Sequence, residues 1–306
     1  MRLFIEIAFV FAVLTAHAFD SAEWLAQRGM FGYEAKRLAK AYDKCFAAAT
    51  EPAESIVVPV EGYPDGSVKT SISANKAQLF LTEGLIWGEG VTIRQFSRDG
   101  SIEAKLDVDD CVVDRTTRSG WVPGHMHAEF RGDVSLDADK VYFSATEQYL
   151  KTATNTVLRA DGKELRSIRA DYDNMNGVAM FEGSVELRGT EGNNEYVLKT
   201  KQAFVFISGT NDVKRVVALK GVRVKSGVRE GSCDRAVYTK ADSKVVMYGS
   251  DKGRPAALID KSGRRSKVEG TRITFWLDNE QVEVMDSKVT IDTTGIKLPK
   301  GVKDYE

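Results

Sequence analysis

The feature that most constrains this chain is a repeated pair of short, alternating strands. From about residue 70, each segment has a small residue, an apolar pair at i and i+2, a polar turn and a second strand. The period is roughly 25–35 residues, which is typical of β-structure built from repeated units. The segments that share this form are 72–93, 136–158, 168–187, 198–224, 233–250 and 269–291.

Within each repeat, successive side chains fall on opposite faces of the strand. In the segment 178–188, Ala179, Phe181, Val185 and Leu187 share one apolar face, and the alternate residues are mostly polar. Stacked strands of this kind predict an all-β fold with two facing antiparallel sheets. Each strand should present one apolar face to the interior and one wet face to solvent. The interior is then either a closed sandwich or an open trough.

The same alternation selects the residues that should line this interior. In one interpretation they form an ordinary dry core, and alternation alone favours it. In the other interpretation they line a lipid-binding groove. The candidates are Leu79, Leu81, Val91, Ile93, Phe143, Phe181, Val185, Leu187, Val205, Ile207, Tyr238, Ile273, Phe275 and Leu277.

Residues 1–18 have the pattern of an export signal. Arg2 precedes an apolar run interrupted by Glu6, and the segment ends in an Ala-His-Ala motif that suits cleavage. The run is shorter than the ~20 residues of a membrane-spanning helix. We therefore expect a cleaved signal peptide and a periplasmic protein, with an uncleaved inner-membrane anchor as the alternative.

The remaining chain divides by composition. Residues 20–49 are rich in Ala, Leu, Lys and Arg and predict a helix, which Gly29 and Gly32 should break into two pieces. The predicted units are a signal peptide at 1–18, a helical segment and linker at 19–60, a first set of β-repeats at 61–160, a second set at 161–298 and a tail at 299–306.

Composition and motifs argue against several function classes. The formal net charge of −1 disfavours nucleic-acid binding, and three Cys with three His cannot form a disulfide scaffold or a zinc array. Cys111 and Cys233 could pair, a question that sequence leaves open. His125 and His127 share a strand face without a third ligand, so we expect no metal. No catalytic motif is present, and we expect no enzyme and no cofactor. An exported glycan-acting enzyme is the weakest alternative.

The repeats resemble the OstA-like periplasmic proteins of lipopolysaccharide transport, the Lpt family. Residues 168–291 are similar to LptA and to the N-terminal domain of LptD through the text IRADYDNMNGVAMFEGSVEL, CDRAVYTKADSKVVMYGS and ITFWLDNEQVEV. Residues 72–158 are similar to LptC through the text ISANKAQLFLTEGLIWGEGVTIRQFSRDG. Residues 20–49 have no counterpart in this resemblance.

The resemblance implies an open, twisted β-jellyroll with acyl chains held between its sheets. It implies that lipopolysaccharide is the ligand, that other Lpt components are the partners and that modules associate head to tail through their end strands. The candidate residues above would then line the lipid groove, and no reaction would be catalysed. The alternative is a structural β-repeat protein of cell-envelope assembly with a dry core.

Overall fold

A computed structural model describes one helix followed by antiparallel strands. No helix in the described part of the chain is long and apolar enough to cross a membrane. The described residues are 21–130, 134–144, 149–160, 162–173, 175–191, 194–208, 212–250, 253–261, 266–276 and 281–291.

The secondary structure begins with helix α1 (Ser21–Ala48), and strands follow to the end of the described chain. The strands are β1 (Ala53–Gly62), β2 (Val68–Phe80), β3 (Leu85–Phe96), β4 (Ile102–Asp114), β5 (Ser119–Phe130), β6 (Val134–Ser144), β7 (Tyr149–Ala160), β8 (Lys163–Ser167), β9 (Arg169–Asp173), β10 (Val178–Glu191), β11 (Asn194–Ser208), β12 (Asp212–Ser226), β13 (Arg229–Thr239), β14 (Lys244–Tyr248), β15 (Ala256–Asp260), β16 (Ser266–Gly270), β17 (Arg272–Trp276), β18 (Val282–Met285) and β19 (Lys288–Ile291).

The strands form one antiparallel meander in chain order. Strands β8 and β9 occupy a single position, because both pair with β7 on one side and with β10 on the other. Strands β14 and β15 also share one position, because both pair with β13. Strands β16 and β17 share the next position, because β16 pairs with β15 and β17 pairs with β14. Strand β1 forms one edge of the sheet, and β18 with β19 forms the other.

Many strand positions bend near their middle, and the bends align into a crease across the sheet. Gly90 has a φ of +60°, and a Cβ there would overlap the side chain of Asn75 on the neighbouring strand. In β10, Gly183 and Ser184 have φ values of 78° and 55°, which place both in the left-handed region and interrupt the pairing. The breaks at 168 and 271 continue the same line, so the crease divides the sheet into two walls.

The two walls face each other around shared cores. Wall A contains β8, β15, β16 and β19, wall B contains β9, β14, β17 and β18, and each long strand gives one half to each wall. The larger core joins Leu106 and Leu136 of wall A with Phe143 and Leu150 of wall B. The predicted all-β jellyroll, two facing antiparallel sheets with an N-terminal helical segment, is confirmed.

Helix α1 lies on the outer face of wall B. Phe31 stacks on Tyr149 with ring centroids 3.8 Å apart, and Leu38 is completely buried against the sheet. From Arg28 to Phe46 the helix is about 27 Å long, which matches the width of about seven strands. The predicted break at Gly29 and Gly32 was wrong, because this packing holds one uninterrupted helix.

This helix also corrects the expectation that every repeat has one wet face. Under α1, the outer face of wall B carries Trp87, Val112 and Tyr142, all of which are buried. Sequence alternation assigns these residues to solvent, but the amphipathic helix covers them instead.

The cysteines Cys45, Cys111 and Cys233 are all buried free thiols, so the possible Cys111–Cys233 disulfide is not formed. Burial raises the pKa of Cys111 and of Cys233 to about 12.

Candidate functional site

The inner face of wall A carries an apolar ladder that crosses the sheet from β2 to β16. Its members are cross-strand neighbours with no charged side chain among them, and it is about 60 Å long at the usual strand spacing. The ladder consists of Ile72, Ile93, Leu106, Ala128, Leu136, Leu158, Leu165, Leu187, Leu198, Val224, Gly231, Leu258 and Val268.

Wall B carries a matching ladder on its own inner face. It too contains no charged residue, so the two walls enclose an interior that is apolar along its whole length. The ladder consists of Leu79, Ile86, Val113, Gly120, Phe143, Leu150, Tyr172, Ala179, Val205, Val216, Tyr238, Val245, Phe275 and Val282.

The two ladders pack closely in the N-terminal half of the sheet and less closely in the C-terminal half. Ile93 and Phe143, in the N-terminal half, are each only 4% exposed. Between β11 and β17 most ladder members are half-buried, as at Leu198, Val224 and Tyr238. The interior is therefore a closed core between the early strands and an open trough between β11 and β17.

Small side chains near the crease explain why the C-terminal half stays open. Ala203, Ala218 and Ala236 are neighbours on successive strands of wall B, next to its ladder. On wall A the ladder position of β13 is Gly231, where an added Cβ would lie 3.0 Å from the Met247 sulfur across the trough. These residues bring the walls together at the crease but fill little volume farther out, so the outer ladder side chains keep solvent contact.

The mouth of the trough is polar. Arg229 begins β13 on the inner side of wall A, and its guanidinium lies over the ring of Phe275 on wall B at 5.6 Å from the centroid. Its Nε also donates to Asp260 Oδ2 at 3.1 Å. An apolar interior with a charged group at its mouth suits an amphiphile whose hydrocarbon is buried and whose head group is wet.

The structure separates the predicted lining residues into five groups. Leu79 and Leu81 are exposed, with Leu79 on the inner ladder near the β1 edge and Leu81 in a turn, whereas Leu277 lies outside the described residues. The buried members within the closed core are Val91, Ile93, Phe143, Phe181, Val185 and Val205; Ile273 is buried in the smaller C-terminal core; and the half-buried members are Leu187, Ile207, Tyr238 and Phe275.

Sequence reasoning missed several residues of the open trough. Leu198, Val224 and Leu258 line wall A, and Val216 and Val245 line wall B. Each alternates with outward-facing neighbours in the same way as the predicted residues. A stricter count of alternation along β11, β12 and β15 would therefore have found them.

The strongest electrostatic cluster lies under α1 and outside the trough. Asp171, 2% exposed, accepts from Arg28 Nη2 and from Lys151 Nζ, each at 2.7 Å, and from the Tyr149 hydroxyl. Burial alone would raise the pKa of this carboxyl, but Lys151, Tyr149 and Arg28 together hold that pKa below its ordinary value. Toward the other end of the helix, Arg37 Nη2 donates to Asp114 Oδ2 at 2.8 Å. These contacts fix the helix to the sheet.

The predicted His pair lies on the outer face of wall A. His127 Nδ1 is 2.6 Å from Asp137 Oδ1, and His125 Nδ1 is 2.9 Å from Asp139 Oδ1. The hydrogen bond with Asp137 raises the pKa of His127. Across the described residues, no group of three His, Cys, Asp or Glu side chains could hold a metal ion.

Comparison with known proteins places the open trough within a recognised domain. Residues 164–281 match the family described as "LptA/(LptD N-terminal domain) LPS transport protein". No curated protein matches the chain. Among solved structures, the chain is similar to LptH of Pseudomonas aeruginosa, described as the LptA homologous periplasmic component of the lipopolysaccharide transport device. The match has 15% identity and a TM-score of 0.34, and it covers 42% of this chain and 92% of LptH. Residues 164–281 are therefore similar to the LptA and LptD N-terminal domain family of lipopolysaccharide-transport proteins.

Proposed function

We propose that this protein binds lipopolysaccharide in the trough between β11 and β17 and passes it along a periplasmic bridge between the inner and outer membranes. The observation that carries the proposal is the pair of uncharged ladders, whose members are mostly half-buried between β11 and β17 and mostly buried on the earlier strands. The same part falls within the family match at 164–281. The proposed function requires no covalent step.

Hydrocarbon burial supplies the binding free energy. Each methylene removed from water contributes about 0.8 kcal/mol, so a ten-methylene acyl chain would gain about 8 kcal/mol before ordering costs. Half-buried ladder residues such as Leu258 and Val245 present the apolar surface for this contact. At the mouth, Arg229 would lie beside the charged head group, where a cation favours a phosphate.

The closed N-terminal half has a different role in this proposal. Its interior is a dry core, as the structural alternative expects. In this proposal the early strands bind no lipid and instead support α1 and the edge strand β1. The predicted boundary at 160/161 remains a prediction, and the larger core joins strands on both of its sides. The similarity of residues 72–158 to LptC is likewise a prediction.

The sheet edges are the proposed contacts with other Lpt components and with further copies of this chain. Strand β1 pairs only with β2 among the described residues, and its Val57 is 72% exposed. Val58 pairs with Ile72 and thus extends the wall A ladder to the edge. Pairing of β1 with the far edge of another module would continue the sheet, as in β-augmentation, and would align the troughs.

A binding experiment with matched substitutions tests the proposal. Leu258 and Ile259 are adjacent, half-buried residues of β15, and only Leu258 faces the trough. Replacing Leu258 by Asn should weaken lipopolysaccharide binding about tenfold, the loss expected when roughly two methylene contacts disappear. Ile259→Asn should leave affinity unchanged. Circular dichroism serves as the control that both variants are folded. Equal lipopolysaccharide affinity of the two variants would contradict the trough as the binding site.

A further inference from the structure

The outer face of wall B carries a second continuous row, and α1 covers only part of it. The row crosses the sheet through cross-strand neighbours, and α1 lies on its first members. It consists of Trp87, Val112, Trp121, Tyr142, Lys151, Asp171, Met180, Phe204, Val217, Val237, Val246 and Thr274.

Hydrogen bonds, ion pairs and ring contacts of α1 with the sheet lie on strands β3–β10. The row nevertheless stays apolar beyond them, at Val217, Val237 and Val246 of β12, β13 and β14. Val217 and Val246 are half-buried, and Leu219, Tyr248 and Trp276 flank the row on the same face. We name Val217, Val237, Val246 and these flanking residues the outer stripe.

An apolar stripe is unusual on the solvent face of an antiparallel sheet, which is normally polar. The equivalent outer row of wall A follows the normal rule. Its members on the same part of the sheet are Lys199, Arg223, Ser232, Ala257 and Glu269. An apolar outer row in this part of the sheet is therefore a property of wall B and not of wall A.

The charges beside the row differ between its two ends. Under α1 the sheet supplies carboxylates, Asp171 and Asp114, which bind the helix arginines. Beside the outer stripe lie three arginines, Arg215, Arg235 and Arg272, and the row continues past Thr274 to Glu283. Arg215 and Arg235 lie over aromatic rings of their own face, and none of the three pairs with a carboxylate in the described part of the chain.

We propose that the outer stripe docks an acidic amphipathic helix of a partner protein, in line with α1. The helix would place its apolar face on the valines, as α1 places Phe31 and Leu38 on its own part of the row. Its acidic flanks would meet the arginines, the reverse of the charge arrangement under α1. The stripe spans about 14 Å across four strands, which is roughly ten residues of helix.

Charge complementarity selects this occupant over a second copy of α1. Arg28 and Arg37 flank the apolar face of α1, so a second copy of α1 on the stripe would meet its arginines with like charge. A lipid phosphate would also be attracted to the arginines, but it would make no use of the apolar row between them. The proposal does not depend on lipid binding in the trough.

Two synthetic helical peptides with the same leucine stripe test the proposal, one with glutamate flanks and one with lysine flanks. Fluorescence anisotropy with the full chain should show at least about tenfold tighter binding of the glutamate peptide. The double variant Arg235→Glu/Arg272→Glu should remove this preference. The matched variant Arg223→Glu/Lys225→Glu, on the outer face of wall A, should retain it. A photo-crosslinker at Trp276 should capture the glutamate peptide.

Several results would overturn the docking proposal. Equal binding of both peptides would mean unspecific apolar adhesion, and no binding of either would mean that the stripe docks no helix. Retained preference in the Arg235→Glu/Arg272→Glu variant would place the peptide elsewhere. Weaker lipopolysaccharide binding with unchanged peptide binding in that variant would assign the arginines to lipid. A crosslink from Trp276 to residues 1–20 of the same chain would identify the chain itself as the occupant.

Discussion

At the scale of single residues, Asp171 shows how the helix is held. Its buried carboxylate accepts from Arg28 and Lys151, so removing its charge leaves two cations without their main partner. Asp171→Asn should lower the free energy of unfolding by about 3 kcal/mol, the usual cost of breaking a buried ion pair. Urea unfolding measures this loss. The exposed Asp109→Asn variant serves as the control and should change stability by less than about 0.5 kcal/mol.

The lowered pKa of Asp171 also sets a pH dependence. A carboxyl whose pKa is lower in the folded state contributes stability above its ordinary pKa of about 4 and loses it as the pH falls through the folded-state value. The wild-type protein should therefore lose stability in acid more steeply than Asp171→Asn. Parallel slopes below pH 4 in urea unfolding would show that the cluster contributes nothing.

His127 should act in the opposite direction at neutral pH. Its pKa is raised by Asp137, so its contribution is complete below the ordinary His pKa of about 6.5 and is lost as the pH rises through the folded-state value. Urea unfolding between pH 6 and 8 should show a decline in stability that His127→Gln lacks. An identical decline in both proteins would assign it to another group.

At the scale of secondary-structure elements, α1 is stable despite its glycines. Gly32 lies inside the helix, and an added Cβ would meet no atom within 4 Å. Gly32→Ala should raise the free energy of unfolding by about 0.5–1 kcal/mol, because alanine loses less conformational freedom in a helix. Thermal unfolding measures the gain. Gly90→Ala is the contrasting variant and should destabilise, because φ is positive there and Asn75 occupies the space.

The strands were easier to predict from sequence than the helix. Alternation placed Phe181 and Val185 on the inner face, because a strand has only two faces and one of them is apolar. Gly29 and Gly32 misled the helix prediction. Each glycine destabilises a helix by about 1 kcal/mol relative to alanine, but the burial of Phe31 and Leu38 stabilises it by more. The position of α1 on wall B depends on long-range contacts that no local pattern contains.

At the scale of the whole molecule, sequence could predict the trough but not which part of it is open. Alternation gives Ile93 and Tyr238 the same inward direction, yet one is buried in a closed core and the other is half-buried. The difference comes from what faces each residue across the trough and from the small residues Ala218 and Ala236 near the crease. The burial of an inward-facing side chain therefore depends on residues of the opposite wall, which are distant in sequence.

The central claim is that acyl chains enter the interior between β11 and β17, and photo-crosslinking tests it most directly. Benzoylphenylalanine would replace Phe275 on the inner ladder, Trp276 on the outer face or Phe181 in the closed core, each in the full chain with lipopolysaccharide. We predict a lipid crosslink at Phe275, none at Trp276 and little at Phe181. Equal crosslinking at Phe275 and Trp276, or none at Phe275 in a folded protein, would contradict the account.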